Sequence, residues 1–315
     1  MSEPALRLAE VMRYHERTKH HFARFAPGPG RLDWANQPDP FRRFEGAPLT
    51  RLPLLAPDDE PRAPAYDSLY APGAVASAPV DLRALSRLLE YSLALSAWKQ
   101  AGGTRWALRV NPSSGNLHPT EGYVLAGGIE GLGEVPGVFH YAPREHALER
   151  RADCPQVLFE RLTRDFPSQA LLVGFSSVYW REAWKYGERA FRYCQHDVGH
   201  AIGAVRIAAA TLGWSALVLD GVADETIDAL LGLERSADFE GAERESAELV
   251  MAVWPTDAAK GEAVPLHLPV PLQLNTQVIE ELARQRWYGK ANRLSLDDPM
   301  NYQAIDQVAA ASRKT

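Results

Sequence analysis

Hydrophobic positions recur at regular spacings through the middle of this 315-residue chain, between about residues 81 and 255. Asp81 precedes the segment "LRALSRLLEYSLALSAW", in which the leucines return at intervals of mostly three or four residues. That period places them on one face of a helix, and aspartate is a favoured N-cap residue. The pattern predicts a helix after Asp81, a glycine-rich break at Gly102 and Gly103, and helix again up to a turn-rich segment at Pro112.

Apolar runs farther along predict strands with helices between them. "EGYVLAG" and "ALLVGFSSV" are typical of strands, "GVFHYAPREHALERRA" of a hairpin that turns near Pro143 and Arg144, and "PQVLFERLTRDF" of a short helix. A long helix is predicted from about residue 182 to 212, ending at Gly213. "WSALVLDG", a short helix near 224–232 and "AELVMAVWP" complete the series. This mixture predicts an α+β fold or a mixed α/β sheet.

The two flanking regions are rich in proline and show little periodicity. Residues 26–80 contain "APGPGRLDWANQPDPF" and "APDDEPRAPAYDSLYAPGA", which are typical of a segment that wraps a surface. The chain after Thr256 predicts one helix, at 276–287, and an irregular tail. We therefore expect an N-terminal extension (1–80), a core domain (81–255) and a C-terminal extension (256–315).

Composition narrows the classes of function. The net charge of −6 gives no support for nucleic-acid binding. Two cysteines exclude a disulfide framework and a cysteine-rich metal site. The start "MSEPALRLAEVMRY" lacks the apolar centre of a signal peptide, and we find no apolar run long enough for a membrane span. A cytoplasmic protein without nucleic-acid or membrane partners is expected.

The long predicted helix has an apolar face and an opposite face of basic residues. At about 100° per residue, the opposite face carries Lys185, Arg189, Arg192, His196 and His200. The two histidines, with Asp197 between them, resemble a zinc-binding pair, for which a metallohydrolase is the corresponding function. Neighbouring arginines would repel the metal, so a solvated polar face or a surface for an anion or a partner is favoured over a metal site.

The segment "LRVNPSSGNLHPTEGY" (108–123) is the most informative stretch. Ser113, Ser114, Gly115 and Asn116 combine hydroxyls, an amide and a permissive glycine, so they can close around a ligand. Arg105 and Arg109 precede them, as phosphate-binding arginines do. The segment matches neither a Walker loop nor GxGxxG. A plain turn of Ser, Asn and Gly is the alternative.

Four stretches, in this order, resemble the SagB/ThcOx-type (FMN-dependent dehydrogenase) branch of the nitroreductase superfamily. They are the "RVNPSSGNLHPTEGY" loop, "PGVFHYAPREHALE", "KYGERAFRY" and "GHAIGAVRIAAATLGW". "YHERTK" (14–19) is similar to an N-terminal feature of some members. The resemblance spans roughly residues 80–255.

The resemblance implies a nitroreductase-like α+β sandwich, in which helices flank a central mixed or antiparallel sheet and one long helix lies at a subunit interface. It implies a homodimer with FMN bound at that interface. Carried over by position, the flavin would contact Ser113, Ser114, Gly115 and Asn116. Arg109, with Arg105 as a further candidate, would approach the phosphate, Arg189 would contribute positive charge, and Gly221 would offer backbone contact.

The catalytic pair implied by the resemblance is Lys185 and Tyr186. Tyr186 would remove or relay a proton while hydride passes to the flavin, and Lys185 would lower the pKa of Tyr186 or stabilise developing charge. The favoured function is dehydrogenation of a C–N or C–C bond in an azoline-type or related substrate, either a small molecule or a peptide. The alternatives are an NAD(P)H-dependent nitro or quinone reductase and a flavin-less scaffold or interaction subunit.

Two departures from the family pattern motivate the flavin-less alternative. The Arg-Arg-Ser-x-Arg segment that grips the phosphate in many nitroreductases has no counterpart here, and "HERTK" (15–19) is a partial substitute. The usual basic residues near the C-terminus are represented at most by Lys290 or Arg293 in "GKANRLS". The sequence leaves the substrate and the electron donor or acceptor open.

Overall fold

The computed structural model describes residues 2–56, 58–59, 64–71, 73–256, 273–297 and 302–315. Its strands are β1 (Phe44–Glu45), β2 (Leu49–Arg51), β3 (Leu95–Ala101), β4 (Thr104–Arg109), β5 (Thr120–Ala126), β6 (Gly137–Ala142), β7 (Ala147–Asp153), β8 (Leu171–Ser177), β9 (Trp214–Val218), β10 (Ser246–Pro255) and β11 (Lys290–Ala291). Its α-helices are α1 (Glu3–Thr18), α2 (Leu82–Glu90), α3 (Gln156–Thr163), α4 (Tyr179–Tyr186), α5 (Ala190–Thr211), α6 (Asp224–Leu231), α7 (Thr276–Ala283) and α8 (Gln303–Ser312).

A seven-stranded sheet forms the centre of the fold, in the order β2-β7-β6-β5-β8-β10-β9. Every neighbouring pair in it is antiparallel. Side chains of β5 alternate between two cores, because Val124 faces α2 and α5 while Tyr123 and Leu125 face α3, α6 and α7. The predicted α+β sandwich, with helices on both sides of the sheet, is confirmed.

Most predicted elements are present, including the hairpin that turns after Pro143. The first helix begins as predicted, since the Asp81 carboxylate accepts a hydrogen bond from the Ala84 N–H at 2.8 Å. It ends at Glu90, however, and the expected helical structure up to Pro112 is wrong. That stretch is a hairpin of β3 and β4, in which Gly102 adopts a φ of 56° at the turn. A glycine with positive φ suits a tight hairpin turn better than a helix.

The predicted long helix is divided at Gly187. This residue has φ 57° and ψ −135°, a conformation that glycine tolerates, and it ends α4. A short 3-10 helix (Gly187–Arg189) then leads into α5, which has 22 residues. The predicted continuous basic face is therefore wrong: Lys185 lies on a different helix from His196 and His200, and Arg189 is only 7% exposed.

Two terminal helices pack against each other beside this break. The end of α1 contacts it directly, because Tyr14 Oη donates to the Glu188 carbonyl at 2.6 Å and Arg189 donates to the Thr18 carbonyl at 3.0 Å. The irregular tail predicted near the C-terminus is wrong for α8, which buries Ile305 and Val308 one turn apart. Part of the predicted C-terminal extension (257–272 and 298–301) lies outside the described residues, and the three-part division of the chain stays a prediction.

A row of buried charges fastens α4 to the sheet. Arg181 contacts Glu121, and His140 lies between Glu121 (3.0 Å) and Glu149 (2.9 Å). Burial by itself lowers the pKa of His140, but the hydrogen bonds to both carboxylates raise this pKa to about 9. Arg43 completes the row at 2.6 Å from Glu149. The residues of this row come from α4, β5, β6, β7 and the segment just before β1. The row therefore fixes the position of the start of α4 relative to the sheet.

Within the described residues, no helix is both long and apolar enough to cross a membrane.

Candidate functional site

The loop singled out by the sequence forms an exposed turn between β4 and β5. Ser114–Asn116 make a short 3-10 turn in which Gly115 (φ 65°) and Asn116 (φ 57°) have left-handed backbones. Ser113 Oγ accepts the His118 N–H at 2.8 Å, and Leu117 is buried in a small core against α4. The Ser113 hydrogen bond and the buried Leu117 thus anchor the turn, while Gly115 stays exposed.

This loop meets the predicted catalytic pair. A methyl group at Gly115 would lie 2.7 Å from Tyr186 Oη and 2.8 Å from Lys185 Nζ. Those separations are shorter than real carbon contacts, so a side chain at this position would push the ends of Lys185 and Tyr186 aside. Two segments about 70 positions apart, predicted separately to act at one site, therefore lie in direct contact.

Asp197 attaches the loop to α5. Its carboxylate accepts the Ser114 N–H at 3.2 Å and the Ser114 hydroxyl at 3.4 Å. Burial raises the pKa of Asp197, and hydrogen bonds from Ser113 and Ser114 oppose that rise. The acid that seemed part of a zinc motif instead holds the loop in place.

The environment of Tyr186 differs from the expected one. Its ring lies 4.4 Å from the ring of Tyr193, and Lys185 Nζ is 5.6 Å from the Tyr186 ring centre. Burial, followed by the proximity of the Glu182 carboxyl group, raises the pKa of Tyr186 to about 12. The lowered pKa that we expected from Lys185 is therefore not found, and the hydroxyl stays protonated at neutral pH.

The three arginines predicted to favour a phosphate are placed very differently. Arg109 is buried and donates to the carbonyls of Thr120 (3.2 Å) and Pro40 (2.6 Å), while Arg189 donates to the Thr18 carbonyl and the Tyr193 hydroxyl. Arg105 alone of the three is exposed. Phosphate contact stays a prediction for Arg109 and Arg105, and a contribution of positive charge stays one for Arg189, but Arg109 and Arg189 already bind protein atoms.

An aromatic cleft of about 470 Å³ opens beside the loop, between the N-terminal segment and the β3–β4 hairpin. The Arg105 guanidinium stacks at 4.3 Å over the Trp98 ring at its edge. Its other lining residues are aromatic, apolar or loop residues, among them Trp34, Phe41, Trp106, Asn116 and Leu117. Trp34 and Phe41 were not predicted from the sequence, although a tryptophan in a proline-rich segment was an available signal for Trp34.

The remaining predicted site residues lie away from the contact between the loop and the Lys185–Tyr186 pair. Gly221 is in an exposed turn after β9, and no described hydrogen bond joins it to the loop. Arg293 donates to the Leu296 carbonyl, and Lys290 lies 3.8 Å from Glu240, near the C-terminal strand. The "HERTK" segment, by contrast, is close to the site, since Arg17 contacts Glu188 at 2.6 Å.

The histidine pair shows no metal arrangement. His196 and His200 are exposed, and the His200 Nδ1 lies 3.1 Å from the Pro112 carbonyl oxygen. Among the residues that the structure covers, no group of three or more His, Cys, Asp or Glu side chains is arranged to hold a metal ion.

Comparisons with known proteins agree with the fold. A model of the nitroreductase family matches residues 75–242. A candidate nitroreductase of Methanocaldococcus jannaschii is 27% identical over 168 residues, which cover 50% of this chain and 77% of that protein. The trifolitoxin-processing protein TfxB of Rhizobium leguminosarum bv. trifolii is 29% identical over 164 residues, 49% of this chain and 44% of that protein.

A solved structure is similar as well. The crystal structure of a candidate nitroreductase from Anabaena variabilis has a TM-score of 0.58 and 27% sequence identity, and the match covers 78% of this chain and 46% of that one. The chain thus spans less than half the length of TfxB and of the Anabaena protein.

Proposed function

Because the chain belongs to the nitroreductase family, whose members typically bind FMN, we propose that it is an FMN-dependent oxidoreductase. The observation that carries this proposal is the meeting of the Ser113–Asn116 loop with Lys185 and Tyr186 at Gly115. A polar loop, an ammonium and a phenol hydroxyl there surround one exposed point. Such a combination can bind a polar planar ligand and move a proton beside it.

The described residues offer groups that suit part of the FMN molecule. The loop offers Ser113, Ser114 and Asn116 beside the exposed Gly115, and the Lys185 ammonium lies against the same glycine. These groups suit the polar edge and sugar chain of a flavin. For the phosphate, Arg105 is the predicted arginine that remains exposed. A second copy of the chain would supply further contacts, and we propose a homodimer with flavin at the interface.

For the reaction, we propose dehydrogenation of a C–N or C–C bond in an azoline-type or related substrate, and membership of the SagB/ThcOx-type branch. The likeness to a trifolitoxin-processing protein supports a peptide substrate. Bound FMN would supply the hydride acceptor. Lys185 Nζ stabilises negative charge at the site, and Tyr186 Oη takes up or passes on the substrate proton.

A second candidate is NAD(P)H-dependent reduction of nitro compounds or quinones. The pKa of about 12 for Tyr186 favours it, because a hydroxyl that stays protonated is a proton donor, which reduction needs. Parallel assays, one with azoline peptides and one with NAD(P)H plus a quinone, distinguish dehydrogenation from reduction.

The absorbance of the purified protein tests the enzyme hypothesis against the flavin-less scaffold. We expect flavin bands, with the pigment released on denaturation and identified as FMN. Tyr186→Phe should keep the flavin and slow turnover, whereas Asn116→Ala should weaken flavin retention. Colourless protein that takes up no added FMN contradicts the proposal and favours an interaction subunit.

A further inference from the structure

A buried carboxyl group lies on the same side of α4 as the Lys185–Tyr186 pair. Glu182 precedes these residues by three and four positions, which places the three side chains on one helix face. The Glu182 side chain is fully buried. Neither of its carboxyl oxygens has a hydrogen-bond partner among the described residues. An ionised carboxylate in such surroundings carries a large desolvation cost.

A second acid close by has the partners that Glu182 lacks. Asp197 is also buried, but it accepts hydrogen bonds from the Ser114 N–H and hydroxyl. Burial and then the charge of Asp197 raise the pKa of Glu182, while Lys185 opposes them. Two neighbouring buried acids that face one ammonium do not ionise together easily. The negative charge therefore belongs on Asp197, where donors stabilise it, and the proton on Glu182.

The other titratable neighbours favour the same distribution. Lys185 and Tyr186 face Glu182 from its own helix, and Cys194 faces it from α5. Behind Cys194 lies the carboxyl of Glu248 on β10, whose pKa burial raises to about 7. Apart from Lys185, these neighbours are acids or neutral groups, so they add no positive charge that would favour an ionised Glu182.

We infer that Glu182 is a proton-holding carboxylic acid beneath the Lys185–Tyr186 pair, and that it exchanges a proton with Tyr186 in each turnover. The second half of this inference rests on the proposed function; the first half does not. In dehydrogenation, Glu182 first releases its proton to solvent; the substrate would then lose a hydride to bound FMN and a proton to Tyr186 Oη, and Tyr186 passes its own proton to the Glu182 carboxylate. In reduction, Tyr186 gives its proton to the substrate, Glu182 replaces it, and a proton from solvent restores Glu182. Glu182 acts through Tyr186, so it is a positioning residue.

Infrared spectroscopy of the full chain tests the protonation state without any cofactor. We expect the wild-type protein at about pH 8 to show the carbonyl stretch of a protonated carboxyl, a pH at which ordinary carboxyls are ionised. Glu182→Gln should remove this band. Glu160→Gln, which alters an exposed glutamate, and Glu248→Gln should keep it. Labelling all glutamates with ¹³C in wild-type protein should shift the band, which assigns it to glutamate rather than Asp197 even if Glu182→Gln folds poorly.

Three results separate the possible outcomes. A missing band in wild-type protein, a band that survives Glu182→Gln, or a band unaffected by ¹³C-glutamate overturns the inference. If the band is present, the pH profile of turnover by the FMN-loaded protein tests the exchange with Tyr186: Glu182→Gln should remove one limb of the profile, and an unchanged profile overturns that half. A protein with the band but no affinity for FMN refutes the proposed function and leaves the protonated Glu182 standing.

Discussion

Replacing Gly115 by alanine separates the catalytic role of the loop from its contribution to stability. The alanine methyl would lie 2.7 Å from Tyr186 Oη, which is 0.7 Å short of the 3.4 Å at which ordinary contact begins. Both nearby atoms are ends of flexible side chains, so Lys185 and Tyr186 can retreat at small cost. The positive φ of 65° costs about 1 kcal/mol of unfolding free energy in addition.

Gly241→Ala is a matched control. Gly241 has a φ of 74°, and a methyl group there meets nothing within 4 Å. Both variants should therefore lose a similar amount of stability, a fall in Tm of roughly 2–4 °C per kcal/mol. A displacement of most of an ångström at reacting groups can reduce turnover by about 10²-fold. We expect that loss in Gly115→Ala alone.

Thermal unfolding and turnover of the FMN-loaded protein are the two measurements. Equal turnover in Gly115→Ala and Gly241→Ala would refute the contact between the loop and the pair as a functional feature. A much larger loss of stability in Gly115→Ala would show that Lys185 and Tyr186 cannot move aside, and would refute the reasoning on flexible side chains.

Three further substitutions test the residues that support the site. Gly187→Ala forces alanine to φ 57° and ψ −135°, so urea unfolding should show a loss of about 1–3 kcal/mol. Asp197→Asn removes the charge that accepts the Ser114 N–H, so hydrogen exchange of that amide should quicken by roughly tenfold. An unchanged exchange rate would contradict a stabilising hydrogen bond between Asp197 and Ser114. His140 has a pKa raised from 6.5 to about 9, so its stabilising effect is complete below pH 6.5 and is lost as pH rises through 9. His140→Gln should flatten the fall in stability across that range, by at most about 3 kcal/mol.

The sequence predicted the elements of the sheet because their apolar runs are long and end in clear turn signals. It also predicted that the loop and the Lys185–Tyr186 pair act at one site, through a resemblance rather than through periodicity, and their roles stay a prediction. Periodicity alone could not show that Gly115 touches Tyr186, since that contact depends on how α4 packs beside β5.

The errors have local physical causes. Leucines after Asp81 continue the helical period past Glu90, but the β3–β4 pairing overrides it. Gly187 looked like one glycine within a helix, but its positive φ ends α4, and a side chain there would lie 3.3 Å from the Pro29 backbone nitrogen. Arg109 carried the right charge for a phosphate, yet its side chain donates to the carbonyls of Thr120 and of Pro40, and the Pro40 segment is 69 positions away, where no short motif reveals the contact.

The contact between α1 and the break after α4 bears on the order of events in folding. Tyr14 and Glu188 are 174 positions apart, and Thr18 and Arg189 are 171 apart. Joining segments across such separations costs chain entropy before any contact repays it. The turn that follows Tyr186 should therefore become ordered late, after the sheet has formed. A refolding chain would regain its β-structure signal first and the geometry around Lys185 and Tyr186 last.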